Sequence, residues 1–253
     1  MFFDTHAHFD DDRFNEDRDE TMCKMRDAGV ELIVNPGCDE VTSRKAIEIA
    51  GKYDFVYAAV GWHPENCADF TDESIGVLRE LASSPKVKAI GEIGLDYYWE
   101  ENPPKAFQKM VFEKQMQLAE ELAMPVIVHD REAHADCMEI VRRYPNVKGV
   151  FHCFSGSAEM ARELVKMGWY ISFTGTVTFK NARKAPEVVA AIPMDRLMIE
   201  TDSPYMSPEP NRGKRNDSSN LIYIAQAIAD IKGISMEETA EITTVNGKKF
   251  YSI

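Results

Sequence analysis

Apolar residues fall in eight short runs along this chain, and a stretch with helical spacing follows each one. The runs are Phe2-Phe3, Leu32-Ile33-Val34, and residues 55–60, 87–90, 125–128, 148–151, 169–173 and 197–199. They are rich in Val and Ile and do not alternate with polar residues, which is the pattern of parallel strands buried on both faces. The spacing predicts helices around Met22 and Met25 and over residues 39–50, 72–82, 105–123, 133–143, 157–167 and 185–191. Two more are predicted over 218–231 and from Met236 onward. Strand and helix alternating over this length predict a (β/α)8 TIM barrel, a single domain over residues 1–253. An open doubly wound sheet is the alternative architecture. No Gly-x-Gly-x-x-Gly follows any strand, which argues against a nucleotide cofactor.

The polar residues sort onto one end of that scaffold. His6 and His8 close the first strand, two apart, and residues i and i+2 of an extended chain point the same way. His63 follows the third strand, Glu92 ends the fourth, His129 the fifth and His152 the sixth, and Asp202 follows the eighth. The C-terminal ends of barrel strands share one mouth, where the chemistry of such folds sits. His134 is the exception, on the helix after strand five, and reads as a surface or helix-packing residue.

Four histidines and two carboxylates suffice for two divalent cations, Zn2+, Mg2+ or Mn2+. Glu92 can bridge two ions with its two oxygens, and two ions about 3.5–4 Å apart can stabilise both the attacking and the leaving oxygen of a displacement. A divalent ion also acidifies bound water toward neutrality. Asp202 is placed to ligate and to take the proton of that water. The reading is metal-assisted hydrolysis.

Six segments together resemble the TatD family of metal-dependent hydrolases, within the amidohydrolase superfamily: Asp4-Thr5-His6-Ala7-His8, Gly61-Trp62-His63-Pro64, Gly91-Glu92-Ile93-Gly94-Leu95-Asp96-Tyr97-Tyr98, Pro125-Val126-Ile127-Val128-His129, His152-Cys153-Phe154-Ser155-Gly156 and Glu200-Thr201-Asp202-Ser203-Pro204-Tyr205. The resemblance implies that His6 and His8 hold one metal, Glu92 bridges, His129 and His152 hold the second, and Asp202 is ligand and general base. It further implies a deoxyribonuclease that cleaves phosphodiester bonds, with DNA, single-stranded or at frayed ends, as its partner. Many amidohydrolases bridge their metals with a carboxylated lysine; here Glu92 occupies that place, and Lys88 lies too early on the strand.

Charge qualifies the substrate. The 29 Lys and Arg against 42 Asp and Glu leave a net charge of −13, so long-range attraction cannot collect nucleic acid. Phosphates would need local cations, and Asn211-Arg212-Gly213-Lys214-Arg215-Asn216 supplies three next to the strand-eight motif. Arg212, Lys214 and Arg215 are therefore candidate substrate contacts. A similar loop in the family is followed closely by proline, where this chain has Asp217-Ser218-Ser219. His63, on a turn before Pro64, supports a metal ligand from behind, contacts a substrate phosphate or packs its loop. The aromatic run Tyr97-Tyr98-Trp99 either stacks unpaired bases or packs its loop.

Five cysteines, an odd number with no Cys-x-x-Cys spacing, predict a reduced cytoplasmic protein. No run reaches the length of a membrane span, and the spacing is silent on oligomeric state. Two rival functions stand beside the nuclease: a deacylase or lactone or amide hydrolase acting on a small molecule, and a non-enzymatic metal- or partner-binding barrel.

Overall fold

The computed structural model describes Met1–Ile253. In chain order the elements are β1 (Phe2–Asp4), α1 (Arg18–Asp27), β2 (Val30–Pro36), α2 (Glu40–Lys52), β3 (Val56–Val60), α3 (Asp72–Ala82), β4 (Val87–Asp96), α4 (Lys105–Leu122) and β5 (Val126–Arg131). They continue with α5 (His134–Arg142), β6 (Gly149–Phe151), α6 (Ala158–Lys166), β7 (Tyr170–Phe173), α7 (Lys184–Ala191), β8 (Leu197–Ile199), α8 (Leu221–Lys232) and α9 (Met236–Tyr251). The strand order is β1 through β8 without a crossover, as the (β/α)8 class requires. No helix is long and apolar enough to cross a membrane. By its contacts the chain divides into two compact units, residues 1–35 with 153–253, and residues 36–152.

In the first unit β1 pairs in parallel with β2, with Phe3 opposite Leu32 and Asp4 opposite Ile33. β7 pairs with β8, with Phe173 opposite Ile199. Past the end of β1, Thr5 donates its N–H and its hydroxyl to the Ile199 carbonyl, 3.3 and 3.0 Å. The last strand is thereby tied to the first. α9 supports this seam from outside. The Tyr251 hydroxyl donates to the Thr5 carbonyl at 2.9 Å. Gly247 lets the helix approach, because a Cβ there would lie 2.6 Å from the Phe3 ring. Phe3, Ile33, Ile171 and Ile199 are buried.

In the second unit β3, β4, β5 and β6 pair in sequence, all parallel, with Val60 opposite Ile90 and Val128 opposite Phe151. β4 is longer than its apolar run predicts. Its register against β5 shifts between Ile90 and Ile93, and pairing then resumes from Ile93 to Asp96. Leu95 and Asp96, read from the sequence as the start of a loop, are therefore strand. Gly94, at φ +140°, makes the close approach possible, since a Cβ there would sit 2.0 Å from the His129 carbonyl oxygen. β6 is shorter than its run, but His152 still donates its N–H to the Val128 carbonyl at 3.1 Å.

Candidate metal centre

The first unit carries His6, His8 and Asp202. Neither histidine is in β1; both lie on the extended segment after it, and their Nε2 atoms meet 3.0 Å apart. Asp202 Oδ1 lies 3.7 Å from His6 Nε2 and 3.6 Å from His8 Nε2. Ligand atoms about 2.0–2.1 Å from one four-coordinate ion stand roughly 3.3–3.5 Å from each other, so these three spacings bracket what one ion requires. Two imidazole nitrogens turned toward each other and a carboxylate form a set that a cation or a proton must hold together.

The backbone explains why they converge. Asp202 donates its N–H to the His6 carbonyl at 2.9 Å, and His8 donates its own to the Ser203 carbonyl at 2.7 Å. Asp202 adopts φ +55°, a left-handed conformation uncommon for a residue with a side chain. Buried Asp4 accepts the Thr201 N–H at 2.9 Å and the Thr201 hydroxyl at 2.5 Å, which anchors that turn. Burial pushes the Asp4 carboxyl up to about 7, against the hydrogen bonds from Ser218 and Thr201 that lower it. Asn216, fully buried, donates to the carbonyls of Thr201 and Tyr205 at 2.9 and 2.7 Å and braces the same turn from the basic loop. His8 Nδ1 is 4.0 Å from Asp10, whose carboxylate accepts from Asn35 at 2.7 Å.

The second unit gathers three imidazoles on one carboxylate oxygen. Glu92 Oε1 is 2.7 Å from His152 Nε2, 2.9 Å from His129 Nδ1 and 3.3 Å from His63 Nε2. His63, Glu92 and His129 offer ligand atoms that all lie within 4.8 Å of one another. Burial, and then His129, depress the His63 imidazole to about 4, so it is neutral at pH 7; its Nδ1 accepts the Glu65 N–H at 3.2 Å, which leaves the proton on Nε2 to be donated to Glu92. His129 goes the other way. Burial opposes its charge, but the hydrogen bonds with Asp96 and Glu92 prevail and raise it to about 9.

Asp96 was not among the residues that the spacing singled out. Its Oδ2 lies 3.0 Å from His129 Nε2, and its Oδ1 accepts the Tyr98 N–H at 2.9 Å and the Asn102 amide at 3.2 Å. The signal was available: Glu92, Gly94 and Asp96 are spaced two apart and share one face of an extended strand. His63, read as a support for a metal ligand, a substrate contact or loop packing, turns its Nε2 to Glu92, 3.3 Å away. His134 opens α5 with its Nδ1 2.8 Å from Asp130, consistent with a helix-packing residue.

The basic loop divides. Arg215 is engaged with Asp17 through both guanidinium nitrogens, 2.8 and 2.6 Å, and donates to the Arg13 carbonyl at 2.6 Å. It also lies 4.6 Å over the Phe14 ring. It works as a strut between the loop and the start of α1. Arg212 and Lys214 are exposed, Arg212 with its guanidinium 4.3 Å over Phe179.

The TatD-related DNase family model matches residues 3–252. YabD of Bacillus subtilis, named an uncharacterized metal-dependent hydrolase, is 48% identical over 255 residues and covers all of both chains. A 3'-5' ssDNA/RNA exonuclease, TatD of Erwinia tasmaniensis, is 32% identical over 259 residues, covering 99% of this chain and all of its own. The crystal structure of YjjV, a TatD homolog from Escherichia coli, superposes with a TM-score of 0.94 at 29% identity, over 100% of this chain and 98% of that one.

Proposed function

The chain belongs to the TatD family of metal-dependent hydrolases, and on that premise we propose that it hydrolyses phosphodiester bonds of DNA with two divalent ions, one at each cluster. The observation that carries the reading is the meeting of His6, His8 and Asp202 at ligand spacing. The relative named as a 3'-5' ssDNA/RNA exonuclease supports a single-stranded substrate attacked from its 3' end.

The residues that would hold the ions are His6, His8 and Asp202 in one cluster, and Glu92, His129 and His152 in the other, with neutral His63 donating to Glu92. Divalent ions bound there would supply Lewis acidity toward the phosphoryl oxygens and a lowered pKa for water. Asp202 is the base. Its side chain keeps 14% exposure while His6 beside it has none, so its carboxylate reaches both the ligand set and incoming water. The left-handed turn at Asp202, braced through Thr201 by Asp4 and Asn216, holds that carboxylate in place as it accepts a proton from the attacking water. Asp96 fixes His129 through Nε2 and leaves Nδ1 on the Glu92 side, where an ion would be held. Arg212 and Lys214 supply the local cations that a chain of net charge −13 needs for phosphate.

The test is hydrolysis of 5'-labelled single-stranded DNA beside a panel of carboxylic esters and lactones, after chelation and reloading with Zn2+, Mn2+ or Mg2+. Metal-dependent shortening from the 3' end is expected. Turnover of esters or lactones with DNA left intact would assign the site to the small-molecule alternative.

A further inference from the structure

We propose that Tyr98, Trp99 and Arg131 form a stacking subsite for an unpaired nucleobase beside the Glu92 cluster, an inference that rests on the nucleic-acid reading above. The two rings follow directly on β4, two and three residues past Asp96. Both are held out to solvent, Tyr98 51% and Trp99 43% exposed, whereas Trp62 and Trp169 are buried. Their centroids are 4.6 Å apart and their planes nearly perpendicular. The Arg131 guanidinium lies 3.9 Å from the Tyr98 centroid and 5.3 Å from that of Trp99.

This arrangement is anchored to the metal-ligating groups. Arg131 ends β5 directly opposite Asp96 in the β4–β5 ladder, and its carbonyl accepts the Tyr97 N–H at 2.9 Å. Asp96 accepts the Tyr98 N–H, and Asn102 closes the loop with amide donations to the Asp96 carboxylate and carbonyl, 3.2 and 3.3 Å. The same Asp96 carboxylate touches His129. The rings are thus presented on a braced loop, one carboxylate away from a ligand.

The chemistry fits a base better than a protein face. Exposed Glu100 and Glu101 follow the two rings directly and end the apolar run. Every base offers a π-face to an aromatic ring without regard to sequence. A guanidinium over the rings adds cation–π attraction and a fork of donors for the adjoining phosphate. Bases paired within a duplex cannot reach such a platform, so it selects single strands.

Trp99 is its own probe. In Asp202→Asn protein reloaded with saturating metal, whose turnover should be about 10²–10⁴-fold below the parent's, short oligothymidylate should quench tryptophan fluorescence saturably. An abasic strand of equal length should not, and Trp99→Phe should remove the signal. In the metal-loaded active enzyme, Tyr98→Ala with Trp99→Ala should raise KM for single-stranded DNA about tenfold with kcat unchanged. Equal quenching by the abasic strand, or an unchanged KM while the enzyme cleaves DNA, would overturn the subsite and leave the nuclease reading standing. Neither quenching nor cleavage would overturn both.

Discussion

Asp96 and His129 are joined by a 3.0 Å contact between Oδ2 and Nε2, and this contact leaves His129 one nitrogen, Nδ1, to turn toward Glu92. Carboxylates in this position orient a ligating imidazole and raise its basicity. Asp96→Asn should therefore weaken metal binding about 10–100-fold while the fold persists. Competition with a chromophoric chelator measures it. Unchanged affinity would show that Asp96 only holds its loop.

Proton and metal compete for His129. Burial disfavours its charged form, but Asp96 and Glu92 outweigh burial and raise the imidazole to about 9. Because the folded value lies above the ordinary one near 6.5, the ion pairs contribute stability to the metal-free protein below that pH. The contribution is lost as pH rises through about 9. Loading must expel that proton, so apparent metal affinity should climb by up to about tenfold per pH unit toward pH 9. Calorimetry in buffers of different ionisation enthalpy counts the protons released. A flat affinity between pH 7 and 9 would contradict a protonated His129.

Asp202→Asn should lower turnover by about 10²–10⁴-fold, the range for losing a general base. Its melting temperature should stay close to that of the parent, because the Asp202 N–H bond to His6 survives the change. Activity near the parent value would place the base elsewhere.

The basic loop separates stability from substrate binding. Arg215→Ala breaks a half-exposed bidentate pair with Asp17 and should cost about 0.5–1 kcal/mol in denaturant unfolding. Arg212→Ala with Lys214→Ala should leave stability alone and raise KM for DNA. The reverse pattern would make Arg215 the phosphate contact.

Much of this was legible in the sequence, because ligands interrupt apolar runs at their ends. His6, His8 and Asp202, far apart in the chain, lie within 3.0–3.7 Å of one another. The helix predicted over 105–123 is observed as Lys105–Leu122, its apolar face buried through Val111, Phe112 and Met116. What escaped depends on partners distant in the chain. The length of β4 is set by its shifted register on β5, so Asp96 reads as loop until that pairing is known. Arg215 looks like an available cation until Asp17, 198 residues earlier, is seen beside it. Asn216 closes the basic-loop motif, but its bracing role follows only from the buried carbonyls it meets. His63 keeps three readings in the sequence, because nothing local to Pro64 singles out Glu92 as its partner.

The most direct measurement is the metal stoichiometry of the intact chain by native mass spectrometry after reloading with Zn2+ or Mn2+. Two ions per chain are expected in the parent protein, and one in the His6→Ala, His8→Ala double variant, whose Glu92, His129 and His152 remain. No bound ion at saturating metal, or an unchanged count in the double variant, would contradict the account.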